Sequence, residues 1–445
     1  MQVTLSVLAD ILSTSKSNII QRVKSGILSP INLDVVDEKL WQFDLAKLDH
    51  ISIVHEMLNS NAVNETSTKP LRKYTCIELF AGAGGLAIGL ERAGFETILL
   101  NEIDKNAAAT LVKNRPMWNV INDDISKVDF SSYYNKVDLL SGGFPCQAFS
   151  YAGRKLGLED TRGTLFFEYA RAVKESQPKV FLAENVRGLL NHDSGQTFKV
   201  IKDIIKEIGY TLVDHDVLKA MFYRVPQKRE RLILIGVRND LVKDIHPFKM
   251  PSKHDCVYTL HDAFYKGALF DRDVPESQGQ NYPRRKAEIL EYVPQGGYWR
   301  DLPEELQKEY MQGSFYLGGG KTGMARRLSL DEPSLTLTCA PAQKQTERCH
   351  PIETRPLTVR EYARIQTFPD DWEFMGSITA QYKQIGNAVP CNLSERVGNS
   401  IIAMLNAMED DKIYSSFISE YGDIKKGALS IESEDDNIKQ GSLFF

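Results

Sequence analysis

From Tyr74 onward the chain alternates between two hydrophobic periods, and this alternation predicts most of its architecture. Tyr74 to Leu79 is an apolar run of strand length, Gly82 to Gly85 is a glycine-rich turn, and Leu86 to Ala93 carries apolar residues at helical spacing. A second strand is predicted over Thr97 to Asn101, ending in Glu102 and Asp104. A helix over about Asn106 to Asn114 follows, and a third strand stops at Asp123-Asp124. Val137 to Ser141, Val180 to Ala183 and Arg231 to Val237 read as further strands, with helices near Leu165 to Lys174 and Phe198 to Ile208. Repeated strand–helix units imply an α/β fold with a doubly wound, mostly parallel sheet covered on both faces. The alternation stops near Lys249. From there to about Glu353 the chain is rich in Gly, Pro, Arg and aromatic residues with few clear periods, so a smaller irregular domain is expected. Helical spacing returns at Thr358 to Gln366 and from Cys391 to Asn406.

Ahead of the sheet lies a small helical unit. Leu5, Leu8, Ala9 and Leu12 recur at helical spacing, and a second short helix fits Asn18 to Lys24, with Ser17 as its N-cap and Gly26 as its stop. Gly26 to Pro30 followed by Trp41-Gln42-Phe43-Asp44 resembles the wing of excisionase-like helix-turn-helix domains, which would turn Gln21, Arg22 and Lys24 towards DNA. The unit carries more acids than bases, which suits a protein contact equally well. Asn59 to Lys69 is polar, aperiodic and closed by Pro70, and reads as a linker. The expected organisation is therefore a helix-turn-helix-like unit (1–58), a linker (59–70), a sheet-and-helix domain (71–250), an irregular domain (251–354), a return to the sheet-and-helix domain (355–408) and an acidic, disordered tail (409–445).

Composition narrows the class without changing this picture. At 445 residues, 42% hydrophobic and 25% charged, the chain is an ordinary globular protein of two or three domains. No apolar run approaches the roughly 20 residues of a membrane span. The N-terminus lacks the features of a signal peptide, so a cytoplasmic protein is expected. Its six cysteines include no C-x-x-C pair, and no metal site is expected. The net charge of −5 is more than accounted for between Glu409 and Asp436, which hold nine acids against three lysines. The remainder is nearly neutral and can bind DNA through one basic face.

Candidate chemistry gathers at the predicted strand ends. In Glu78 to Gly85 the glycines allow a tight turn and close approach to a ligand, while the following helix N-terminus favours an anion. Glu102 stands where a ribose-binding carboxylate belongs in a doubly wound fold, and Asp124 could accept from an adenine amino group. Either acid could equally cap the helix that follows. Ser141 to Ser150 breaks a strand with two glycines and a proline, leaving Cys146 on a loop that is held yet reachable. An isolated cysteine is more often a small buried hydrophobe. Glu184 closes a strand, where it could also be a helix cap. A period of two puts Gln227, Arg229 and Arg231 on one face of the strand that Leu232 to Ile235 continues. Two arginines so placed suit a base oxygen and a phosphate, or a solvated edge. Tyr151 to Leu165, with its glycines and basic residues, reads as a mobile basic loop.

Gly143-Phe144-Pro145-Cys146-Gln147-Ala148-Phe149-Ser150 resembles the nucleophile motif of the DNA (cytosine-5)-methyltransferases. Glu184-Asn185-Val186, Gln227 to Arg231, Arg355 to Pro369 and Gln384 to Pro390 follow in that family's order, so the resemblance runs from about Glu78 to Pro390. It implies a Rossmann-like fold that binds S-adenosylmethionine through Phe80 (against the adenine), Gly82, Gly84, Gly85, Glu102, Asp124 and Asn387. It also implies that Cys146 is the nucleophile, that Glu184 holds or protonates cytosine N3, that Arg231 contacts O2 and that Arg229 supports the site. Such chemistry is needed because C5 attacks a methyl sulfonium poorly until a thiolate adds at C6. An unperturbed thiol, with a pKa of about 8.5, is only roughly 3% ionised at pH 7, a handicap of about 2 kcal/mol. The target cytosine must also be flipped from the duplex, at a cost of a few kcal/mol. Gln147, Ser150, Arg154 and Arg162 are then expected at the DNA near the nucleophile. Lys321, Arg326, Arg327 and Thr336 are expected to contact it from the domain at 251–354, where the family reads sequence. The implied partners are double-stranded DNA and a cognate restriction endonuclease that acts on the same site without a stable complex; the chain is expected to be a monomer. A transfer-RNA cytosine-5 methyltransferase would share the Pro-Cys-Gln and Glu-Asn-Val motifs, and a DNA-binding regulator could act through the N-terminal unit. The long Arg-rich region favours DNA, and the joint presence of Cys146, Glu184 and Arg231 favours catalysis.

Overall fold

The computed structural model describes residues 1–66, 68–145, 165–242 and 248–416. The chain opens with β1 (Gln2–Thr4), α1 (Leu5–Ile11), α2 (Lys16–Lys24), β2 (Gln42–Asp44), α3 (Ser52–Leu58) and α4 (Ala62–Glu65). The winding region comprises β3 (Tyr74–Leu79), α5 (Gly85–Ala93), β4 (Phe95–Asn101), α6 (Lys105–Asn114), β5 (Val120–Ile121) and β6 (Leu139–Gly143). It continues through α7 (Leu165–Ser176), β7 (Val180–Asn185), α8 (Gln196–Glu207), β8 (Tyr210–Lys219), β9 (Gln227–Lys228) and β10 (Glu230–Arg238).

One sheet takes the order β5-β4-β3-β6-β7-β10-β8. Its first five strands are parallel, and β10 runs antiparallel to both β7 and β8. The chain winds outward from β3 to β5 and then returns to place β6 on the other side of β3. Such a reversal leaves a crevice at the carboxyl ends of the two central strands. Successive strand residues face opposite layers, as a period of two requires. Cys76, Leu139, Leu182 and Ile233 join the layer of α5, while Ile77, Leu140, Phe181 and Leu232 join the layer of α7 and α8. The expected doubly wound, mostly parallel fold is present. The sequence pattern does not reveal β8, because Asp214, His215 and Asp216 interrupt its apolar run on the open edge of the sheet.

The smaller lobe holds α9 (Leu260–Phe264), α10 (Arg284–Leu290), α11 (Glu304–Met311) and β11 (Ser334–Leu335). It has a core of its own around Leu290, Trp299, Tyr310 and Met311. It joins the body where β11 pairs in parallel with β9. The chain returns through α12 (Val359–Ile365), α13 (Ile378–Asn387) and α14 (Cys391–Glu409). α14 lies in the α5 layer, with Leu393, Val397 and Ile401 buried. Residues 411–416 are also helical, and the acidic tail beyond them lies outside the described residues.

The N-terminal unit differs from its expected form in three respects. Ser15, not Ser17, caps α2, its Oγ accepting from the Asn18 amide at 3.1 Å. The wing strand β2 pairs antiparallel with β1, the first residues of the chain. The unit also shares a core with the body, since Leu8, Phe43, Val54 and Met57 belong to the same buried cluster as Leu218 and Phe222. Arg22 lines a cleft of about 470 Å³ together with Glu56, Lys219 and Phe222, and Lys24 pairs with Glu38 at 2.7 Å. The segment read as a linker carries α4 and is docked: Glu65 pairs with Arg396 at 2.7 Å and accepts from the Ser252 amide at 3.0 Å.

Candidate active site at the carboxyl edge of the sheet

The turn after β3 is the first wall of the crevice. Phe80, Gly82 and Gly84 all have positive φ (56°, 56° and 87°), so the backbone curls back before α5 begins at Gly85. Phe80 adopts this strained conformation as a non-glycine residue and stays partly exposed. Trp372, which the sequence reading does not single out, braces the turn by donating from Nε1 to the Ala83 carbonyl at 3.1 Å. Its only sequence signal is a large aromatic residue just after Pro369.

Glu102 is buried at the end of β4. One carboxylate oxygen accepts from the Gly82 amide and the other from the Asp104 amide, both at 2.7 Å. Burial raises its pKa despite these amides, and the nearby Glu78 stands well above the ordinary carboxylate range because of burial and then the Glu102 charge. Glu78 Oε2 is buried without a partner among the described residues. Asp124 serves as an N-cap, Oδ1 accepting from the Ser126 amide at 2.9 Å and from its hydroxyl at 2.8 Å; these bonds depress its pKa. The capping alternative is thus what its side chain does here. Asn387, exposed at the end of α13, accepts from Cys339 Sγ at 3.1 Å. A carboxylate pair, a partly exposed aromatic ring and a strained glycine turn fit a nucleoside-bearing cofactor. Each Glu102 oxygen keeps a lone pair beyond its amide contact.

The second wall is built by β6, β7 and β10. In register, Gly143 faces Glu184, and Glu184 faces Ile233. A Cβ on Gly143 would lie 2.6 Å from Glu184 Oε2, so a larger residue there would push that carboxylate aside. Glu184 Oε1 pairs with Arg231 Nε at 2.5 Å, both side chains being only 11% exposed. Arg231 also donates to the Glu230 carbonyl at 2.8 Å. Burial lowers the Arg231 pKa even with Glu184 holding the charge. Arg229 is fully enclosed and spans two segments, donating to the carbonyls of Leu337 at 3.2 Å and Gly386 at 2.9 Å. It can therefore position the site but not touch a base. Asn185 Nδ2 holds the Phe144 carbonyl at 2.8 Å, fixing the strand exit two residues before Cys146. Cys146 itself, with Gln147, Ser150, Arg154 and Arg162, lies outside the described residues.

The expected DNA-reading residues divide. Arg327 is buried and spends its guanidinium on the carbonyls of Val293 (2.7 Å), Leu290 (2.8 Å), His350 and Glu353 (both 3.2 Å) and on the Thr354 hydroxyl (2.8 Å). Its side chain braces the lobe from within. Lys321 turns its ammonium onto the carbonyls of Ser314 and Leu317. Thr336 donates to the Lys228 carbonyl at 2.9 Å. Arg326 is half-buried, and its Nε has no partner among the described residues.

A glycine turn after the central strand, acids ending the next strands and one antiparallel strand inside the far edge define a Rossmann-like methyltransferase. Residues 74–403 match the family described as C-5 cytosine-specific DNA methylase, and the chain belongs to that family. The type II methyltransferase M.Eco47II of Escherichia coli is 62% identical over 91% of this chain and 96% of its own length. M.PspPI of Psychrobacter is 60% identical over 91% of this chain and 97% of its own. M.Sau96I of Staphylococcus aureus is 47% identical over 90% and 87%. A crystal structure described as a prophage-encoded DNA modification methyltransferase (E. coli) superposes with a TM-score of 0.54 at 26% identity, covering 75% of this chain and all of that one. No helix among the described residues is long and apolar enough to cross a membrane.

Proposed function

We propose that the enzyme methylates C5 of one cytosine within a specific double-stranded sequence, as the modification half of a restriction–modification pair. The observation that carries this reading is the buried Glu184–Arg231 pair, registered against Gly143 at the strand exit that leads to Cys146. Bound S-adenosylmethionine would supply an electrophilic methyl group. Phe80 would lie against its adenine, Glu102 would accept from its ribose hydroxyls, and Gly82, Gly84, Gly85, Asp124 and Asn387 would complete the pocket.

Around the flipped cytosine, the Cys146 thiolate forms a bond to C6 and breaks the ring's aromaticity, placing electron density on C5 and negative charge towards N3 and O2. Glu184 would hold or protonate N3 and Arg231 would meet O2, with Arg229 behind them as a positioning residue. After transfer, loss of the C5 proton and of the thiolate restores the ring. Gln147, Ser150, Arg154 and Arg162 are assigned to the DNA around the flipped base. Arg326 and Thr336, with the cationic Lys321, are assigned to reading by the lobe. The endonuclease partner would share the target site rather than a stable complex, and the chain would act as a monomer. The transfer-RNA alternative gains no support from the named relatives, which are type II methyltransferases.

Incubation with labelled S-adenosylmethionine and defined duplexes, followed by mapping of the modified base, tests the reaction. Cys146→Ser is expected to abolish transfer while cofactor affinity stays near that of the wild type. Substantial methylation by that variant would overturn the nucleophile assignment.

A further inference from the structure

The N-terminal unit touches the enzyme at an informative place. Asp10, at the end of α1, pairs with the ammonium of Lys228 at 2.5 Å. The same ammonium donates to Glu332 Oε2 at 3.1 Å, and Lys16, at the start of α2, reaches Glu332 Oε1 at 3.2 Å. Two acids and two bases thus link three parts of the chain: the N-terminal unit, β9 of the body and the turn before β11 of the lobe. Lys228, Glu332 and Asp10 are only 17%, 14% and 26% exposed. Exposed ion pairs contribute little, whereas removing one partner at this degree of burial leaves others uncompensated. Glu332 is held down at about 2: burial would raise it, but Lys228 and Lys16 outweigh that effect.

The backbone beneath this cluster joins the lobe to the body. Ser334 donates its amide to the Pro226 carbonyl at 2.8 Å, and Leu337 to Gln227 Oε1 at 3.0 Å. Thr336 Oγ1 donates to the Lys228 carbonyl at 2.9 Å. The next residue, Arg229, ties Leu337 to Gly386, and Arg231 follows two positions later against Glu184. A displacement at Lys228 would therefore reach the lobe through β11 and the base pocket through β10.

We propose that the N-terminal unit is a clamp that sets the pose of the target-reading lobe, with Asp10, Lys228 and Glu332 as positioning residues for sequence recognition. This rests on the lobe being the part that reads DNA. It replaces the picture of a tethered module acting on its own, which the shared core and the docked 59–66 segment oppose.

The test uses the full chain carrying Asp10→Asn, Lys228→Met, both together, and Lys228→Arg. Each of the first two is expected to raise KM for the specific duplex about 5- to 20-fold and to lower discrimination against single-base variants by a similar factor. Cofactor Kd and kcat at saturating DNA should stay within about twofold, and the double variant should be little worse than the poorer single one. Lys228→Arg should restore most of the loss. Amide exchange at 226–229 and 334–337 should quicken in the weakened variants. Wild-type KM and discrimination with unchanged exchange would overturn the clamp. So would equal losses of kcat, cofactor binding and Tm, which would make the cluster a plain stability element. Faster exchange with wild-type discrimination also overturns the proposal, and it places the fault in the lobe's assignment rather than in the joint.

Discussion

The edge of the sheet and the smaller lobe both bury charge, but they dispose of it in opposite ways. In the lobe, Arg327 is enclosed and met by carbonyls from five residues and by one hydroxyl. That region has few regular elements of its own, so buried cations take over the work of satisfying backbone carbonyls that a sheet would have paired. At the sheet edge the backbone is already paired, and the charged groups face one another or the crevice: Glu184 against Arg231, Glu78 beside Glu102. Buried charge saturated by backbone is scaffold. Buried charge left with spare lone pairs at strand ends is where a reaction can be stabilised.

The sharpest break of this comparison is at Glu184. Glu184→Gln keeps the shape but loses the ionised acceptor for Arg231 and the proton-holding group at N3. Methyl transfer should fall by about a hundred- to ten-thousand-fold, the range for a positioned acid or base. The urea midpoint should fall as well, because Arg231 is left buried without its counter-charge, while cofactor Kd should change little. A variant retaining more than a tenth of wild-type kcat would show that the pair is scaffold, as in the lobe.

Arg327→Met is the matching change in the lobe. It strands several carbonyls in a buried setting, so a loss of about 3 kcal/mol or more is expected, read as a lower denaturation midpoint. The loss should be local, with exchange rising around Leu290, Val293 and Glu353 while cofactor binding at the β3 turn persists. Undiminished stability with weaker DNA binding would make Arg327 the DNA contact that the family resemblance implies.

That contrast also explains what the sequence could and could not disclose. β3, β4, β7, α5 and α14 were legible because each buries a continuous apolar face, and the order of strand-end residues then placed Glu102, Glu184 and Arg231 on one edge. β8 escaped because a sheet edge tolerates Asp214, His215 and Asp216. Arg327 and Arg326 are adjacent and chemically identical, and nothing local distinguishes the one that braces carbonyls from the one that does not. Composition likewise made residues 59–69 a linker, because ion pairs from one acid, Glu65, to Arg396 and Lys249 leave no periodic trace.

The mildest expected effect lies at Glu102, where two pH dependences should run in opposite directions. Its folded-state pKa is raised, by burial first, above the ordinary carboxylate value, with the Gly82 and Asp104 amides pulling the other way. Ionising it therefore costs the free enzyme stability: its contribution is complete below the unfolded pKa and is lost as pH rises through the folded one. Ribose hydroxyls need the ionised acceptor, so cofactor affinity should rise with pH over that same window and then level off. Calorimetric titration with S-adenosylmethionine from pH 5 to 8, alongside denaturation of the free enzyme, separates the two trends. Glu102→Gln should flatten both, weakening the cofactor by about tenfold, as expected for loss of a hydrogen bond to a charged group. Wild-type affinity in that variant at every pH would remove Glu102 from the cofactor site and leave it as a brace for the Gly82 turn.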